Sequence, residues 1–105
     1  MTGDDLPKLV RDRIPAIIEE DGGVPVTEQV TGDELAEYTA DKLVEEAKEF
    51  REDRDPAELA DVLEVLEQCL ALADLSWHDL QELRLAKRAD RGGFDDSLVL
   101  KAVED

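Results

Sequence analysis

Apolar positions recur along the chain with a helical period. Ile14, Ile17 and Ile18 gather around Pro15, a residue suited to a first helical turn, and the run stops at Asp21-Gly22-Gly23, which predicts a short helix. Val24 to Val30 alternates weakly and contains Pro25, which has no amide hydrogen for a sheet ladder, so this stretch reads as an extended connector. A second helix is expected from Thr31 or Asp33, either a competent cap, to about Glu52. Asp55-Pro56 then supplies a cap and a first helical residue for a third helix reaching about Asp74. Ser76 caps a fourth, with Asp79 three residues on in a capping-box position, and Gly92-Gly93 stops it. The links between helices are only a few residues long. The second, third and fourth helices are therefore expected to lie as antiparallel neighbours in one all-α domain over residues 1–105, an antiparallel helical bundle.

Helical phase, at about 100° per residue, separates the acids that belong to a solvated face from those that interrupt an apolar one. With Leu35 at zero on the second helix, Phe50, Leu43 and Ala36 fall at about 60°, 80° and 100°. Glu46 falls at about 20°, inside that arc, with Glu49 about 60° away at its edge, whereas Glu37, Asp41 and Lys48 lie on the far side. On the third helix Leu59, Val62, Leu66, Cys69, Leu70 and Ala73 form a broad stripe. Glu58 lies among its flanking members Val65 and Cys69, and Asp61 borders Leu72. Glu64 and Glu67 fall on the solvent side. Two antiparallel helices joined by a short turn can bring the pairs Glu46/Glu49 and Glu58/Asp61 together. Four carboxylates in one cleft repel unless protonated or bridged by cations, and hard oxygen ligands suit Mg²⁺ or Mn²⁺. The alternative is that these acids flank the seam and reach into water. A di-iron bundle is disfavoured, because His78 is the only histidine and stands at no Glu-x-x-His spacing.

Composition changes this picture in three ways. Twenty-nine acidic residues against 12 basic give a net charge of −17, which opposes binding to a nucleic-acid polymer. The same charge density is best tolerated where salt shortens the Debye length from roughly 8 Å at about 0.15 M to roughly 3 Å at about 1 M, so a halophilic setting is expected. A melting temperature that fails to rise between low and molar KCl counts against that expectation. Only four aromatics, Tyr38, Phe50, Trp77 and Phe94, serve a small domain, so a homodimer or homotetramer is expected to supply further burial. The single cysteine, Cys69, excludes an intrachain disulfide and a Cys/His zinc cluster, and its place in the apolar stripe suggests packing. Met1 to Pro7 shows no secretory pattern and no apolar run approaches the length of a membrane span, so a cytoplasmic protein with no membrane partner is expected.

The segment Lys42-Leu-Val-Glu45-Glu46-Ala-Lys-Glu49-Phe50, followed by Glu58-Leu-Ala-Asp61-Val-Leu, resembles the Glu-x-x-Glu and Glu-x-x-Asp motifs of MazG-like all-α nucleoside triphosphate pyrophosphohydrolases. The opening Lys8-Leu-Val-Arg11-Asp12-Arg13-Ile-Pro15 and the closing Lys87-Arg88-Ala-Asp90-Arg91-Gly92-Gly93-Phe94 resemble the phosphoribosyl-ATP pyrophosphohydrolase-like subgroup. The blocks span most of the chain. The connection between the acidic pairs, Phe50 to Ala57, is shorter than in many family members.

The resemblance implies cleavage of a nucleotide between its α- and β-phosphates, giving a monophosphate and pyrophosphate. It implies Mg²⁺, with Mn²⁺ a possible substitute, held by Glu46, Glu49, Glu58 and Asp61, with Glu46 or Glu49 as the catalytic base. It further implies that Lys8 and Arg11 bind the substrate's phosphates. Lys87 and Arg91 are candidates for the same role, although cations at a helix C-terminus also complement the helix dipole. Two other readings stay open: the phosphoribosyl-ATP step of histidine biosynthesis, and a noncatalytic helical oligomerisation or regulatory module.

Overall fold

Local capping chemistry sets the ends of the long helices. In the computed structural model, which describes residues 6–104, the chain forms α1 (Ile14–Glu20), α2 (Gly32–Asp53), α3 (Pro56–Ala73) and α4 (Trp77–Arg91), and no strand among the described residues. Most of Met1 to Pro7, in which no secretory pattern was found, lies outside the described residues. Thr31 takes the N-cap position of α2 in extended backbone, but its side chain makes no capping bond. The carboxylates of Asp33 and Glu34 in the first turn complement the helix dipole there. At the other end of α2, Arg54 adopts a left-handed conformation at φ 58°, and the next residue, Asp55, already caps α3 by accepting from the Ala57 amide at 2.9 Å. A two-residue link between helices that pack along one another makes α2 and α3 an antiparallel hairpin.

Asp74 closes α3 in a second left-handed turn, φ 56°, in which Leu75 N–H bonds to Leu70 O and Asp74 N–H to Ala71 O, the paired bonds of a Schellman stop. Ser76 and Asp79 then form the full capping box of α4: Asp79 N–H donates to Ser76 Oγ at 3.1 Å and Ser76 N–H to Asp79 Oδ2 at 3.0 Å. The backbone bond from Ser76, assisted by its hydroxyl, holds the Asp79 carboxyl below its usual range.

The expected third neighbour is not in place within one chain. Only α2 and α3 pack extensively against each other. In α4 only Leu80 is half-buried and every other residue is exposed, although the Trp77 indole N–H donates to Glu67 on α3. The short Asp74–Ser76 link fixes chain order but cannot by itself lay α4 along the hairpin. Ser76→Ala is expected to cost about 1 kcal/mol of α4 stability. Because α4 is anchored only near its start, this should appear as lost far-ultraviolet ellipticity below the main unfolding transition.

The molecule is long and open, with extents of 59 × 31 × 27 Å and a radius of gyration of 17.8 Å, where a compact domain of this length would have about 13 Å. It exposes 9248 Å², against about 5,900 Å² for a compact protein of its mass. Val65 and Leu70 on α3 are the only apolar residues buried among those described. Leu59 and Leu63 on α3 and Leu83 and Leu85 on α4 are about half exposed.

Candidate metal centre

The hairpin seam is unusual in what it buries. Beside Val65 and Leu70, its buried residues are Thr39 and Glu46. Thr39 is satisfied by its own helix, its hydroxyl donating to Leu35 O at 2.8 Å. Glu46 is not. It is 6% exposed, as its helical phase predicts; Oε1 meets Lys42 Nζ at 3.1 Å, while Oε2 is buried with no hydrogen-bond donor among the described residues. A buried carboxylate oxygen without a donor costs on the order of 1–3 kcal/mol, and more when the group is charged.

Two acidic triads meet at this residue. Glu45, Glu46 and Glu49 on α2 present oxygens within 4.8 Å of one another, and so do Glu46, Glu58 and Asp61 across the hairpin. The helix caps explain the convergence: α2 ends and α3 begins within two residues, so the last turns of one face the first turns of the other. Burial first, then the close approach of the Glu46 carboxyl and repulsion from Glu46, Glu58 and Glu45, push the Glu49 carboxyl up to about 7. Desolvation likewise raises Glu58, helped by the hydrogen bond and repulsion from Asp53 and by the charges of Asp61 and Glu46. Glu45 goes the other way. Desolvation opposes its charge, but hydrogen bonds from Lys8 and Lys42 outweigh it and hold the carboxyl below its usual range. Desolvation also works against the Lys42 ammonium, yet its bonds to Glu46 and Glu45 raise its pKa.

Sequence-distant cations close the cluster. Lys8 Nζ lies 2.8 Å from Glu45 Oε1, and Arg11 Nη2 lies 2.7 Å from Asp61 Oδ1. Together with Val10, Ile14, Lys42, Glu46 and Glu49 they line a groove of about 260 Å³. The structure thus brings together Glu46, Glu49, Glu58, Asp61, Lys8 and Arg11. It does not bring Lys87 and Arg91 to this groove: both are exposed on α4, where Arg91 lies 3.7 Å from Asp90. Gly93 closes tightly over the Arg88 side chain, which pairs with Asp95, so the second basic block is engaged locally.

Two members of the site escape the apolar-stripe reading, Lys42 and Glu45. Lys42 sits at about −20° on the same helical wheel, just outside the apolar arc and between Glu46 and Glu49, and this phase is the signal that could have marked it. Glu45 stands outside that arc, and only its pairing with Lys8, from a different part of the chain, reveals its role.

The donor set fits a hard divalent cation. All the candidate ligands are carboxylate oxygens, two triads share one buried residue, and that residue has an oxygen no donor among the described residues reaches. Comparison of the chain with protein-family models, curated proteins and solved structures finds no match.

The elevated Glu49 pKa gives a pH prediction with a definite sign. The folded chain keeps a proton that the unfolded chain releases at about 4.5, so this group's contribution to stability is lost as pH rises through the window up to about 7. Without divalent ions, the melting temperature should fall from about pH 5 to about pH 8, and Glu49→Gln should flatten the fall. Mg²⁺, which competes with that proton, should raise the melting temperature more at the higher pH.

Proposed function

We propose that this chain is a Mg²⁺-dependent nucleotide pyrophosphohydrolase, cleaving a nucleoside triphosphate or related nucleotide to a monophosphate and pyrophosphate. The observation that carries the reading is the meeting of two acidic triads, Glu45/Glu46/Glu49 and Glu46/Glu58/Asp61, at Glu46, one of whose oxygens is buried and has no donor among the described residues. Glu46, Glu49, Glu58 and Asp61 would hold the ion, which when bound neutralises phosphate oxygens and acidifies a coordinated water. The MazG-like order and spacing of the motifs support the same chemistry.

The chain's own residues have distinct tasks in this reaction. Lys8 and Arg11 stand at the groove and offset the charge of a polyphosphate in a protein otherwise repellent to it. Lys42 fixes the Glu46 carboxylate by one oxygen, leaving the other directed to the cluster. Glu49, at the edge of the cluster beside Glu46, is the residue placed to take a proton from the water that attacks the α-phosphorus.

The open architecture supports assembly. The surplus of exposed area over that of a compact protein far exceeds the roughly 800 Å² that each partner buries in a standard interface. A second copy covering α3 and α4 would complete the helical bundle that one chain leaves unfinished.

The test is pyrophosphate release from a nucleotide panel that includes phosphoribosyl-ATP, with Mg²⁺, in low and molar KCl. Wild type should release pyrophosphate from at least one substrate, and Glu46→Gln and Asp61→Asn should not. Equal release by all three proteins would remove the proposal, and release from phosphoribosyl-ATP alone would move it to histidine biosynthesis. No release from any substrate would favour a noncatalytic module.

A further inference from the structure

The cations that meet the cluster are held with very different firmness. Lys8 and Lys42 are enclosed, with side chains 14% and 15% exposed, and both engage Glu45. Arg11 stands in the open at 54% exposure and touches Asp61, itself 38% exposed, through a single 2.7 Å contact. An exposed pair of this kind contributes little and exchanges readily. Yet Asp61 is one of the three residues whose oxygens converge with buried Glu46 across the hairpin. Arg11 therefore neutralises a carboxylate that a divalent cation would also need. Its backbone is anchored at the entry to α1, where Arg11 O accepts from Ile14 N–H at 3.1 Å, while its guanidinium is engaged by Asp61 alone among the described residues.

We propose that Arg11 is a displaceable counter-ion, competing with a divalent cation for Asp61 and turning, once displaced, to a phosphoryl oxygen of the incoming polyphosphate. The proposal rests on the reading of the carboxylates as a divalent-cation site. It makes cation and polyphosphate binding mutually favourable: the cation frees the guanidinium, and the phosphate keeps it from returning to Asp61. Such coupling is reciprocal by thermodynamic necessity. The planar fork of Arg11 suits phosphate oxygens as well as it suits the carboxylate. Enclosed Lys8 and Lys42 have no comparable freedom and stay with Glu45.

Calorimetric titration with Mn²⁺ alone, followed by titration of inorganic pyrophosphate into Mn²⁺-saturated protein, tests this on the full chain. Arg11→Ala should bind Mn²⁺ about two- to fivefold tighter than wild type, the range expected from losing one exposed competing pair. It should bind pyrophosphate at least about fivefold more weakly, through loss of a charge-assisted hydrogen bond. Arg13→Ala removes the same charge from an exposed residue that does not line the groove, and should leave Mn²⁺ affinity unchanged. Equal tightening by both substitutions would reduce the effect to a general field and overturn the proposal. Unchanged or weaker Mn²⁺ binding by Arg11→Ala, with binding lost in Glu46→Gln, would overturn the counter-ion role while leaving the cation site standing. Unchanged binding in Glu46→Gln would remove the cation site, and the proposal with it.

Discussion

Glu46→Gln is expected to lower divalent-cation affinity and pyrophosphate release by at least about 100-fold while leaving the fold as stable as before, or more stable. The two effects have one cause. In the hairpin seam Glu46 is 6% exposed with Oε2 lacking any donor among the described residues, and, after burial itself, its nearness is the main cause that raises the Glu49 carboxyl to about 7. An amide of the same shape removes the charge, offers Glu49 a donor, and leaves Lys42 its second partner, Glu45, at 3.1 Å. The gain should be about 1–2 kcal/mol, the lower part of the range for relieving a buried unsatisfied group. For a domain of this size, each kcal/mol corresponds to roughly 4–8 °C in melting temperature. A stabilised, inactive Glu46→Gln variant marks a residue kept for its ligand. A variant that is both inactive and severely destabilised would mark Glu46 as structural.

Leu63→Glu carries the second large effect. Leu63 is 54% exposed on α3, so in an isolated chain the substitution should change stability by no more than about 0.5 kcal/mol. If a second copy covers this face, placing a carboxylate there should cost at least about 2 kcal/mol of association, weakening it roughly 30-fold or more. Light scattering at micromolar concentration should then show a multimer for wild type and a smaller species for Leu63→Glu. The same mass for both would exclude this face from the interface. Because stability and assembly are linked by mass action, the wild-type melting temperature should also rise with protein concentration.

Helix boundaries were legible because their determinants are local. Pro15 in a first turn, the Asp55-Pro56 pair and the Ser76/Asp79 box each act within a few residues, and all three helices begin where those residues direct. Helical phase also exposed Glu46, since a carboxylate inside an apolar arc must be buried once the helix packs. What periodicity could not show was which elements pack. The few-residue link before α4 made a third neighbour plausible, yet α4 leaves the hairpin after its first turn. Lys87 and Arg91 travel with it, away from the groove they were expected to join. The pair Arg11–Asp61 lies beyond any periodic signal as well, because it joins residues 50 positions apart through an exposed side chain. The phase of Lys42, between those of Glu46 and Glu49, already sets a cation beside the buried carboxylate, where it meets Glu46 Oε1 at 3.1 Å.

The central claim is that the two acidic triads sharing Glu46 form one divalent-cation site. Crystals grown with Mn²⁺ test it most directly, by the position of the metal's anomalous scattering. A peak is expected bounded by Glu46, Glu58 and Asp61 or by Glu45, Glu46 and Glu49, within bonding distance of Glu46 Oε2. Manganese bound elsewhere, with Glu46 Oε2 still without a partner, would contradict it.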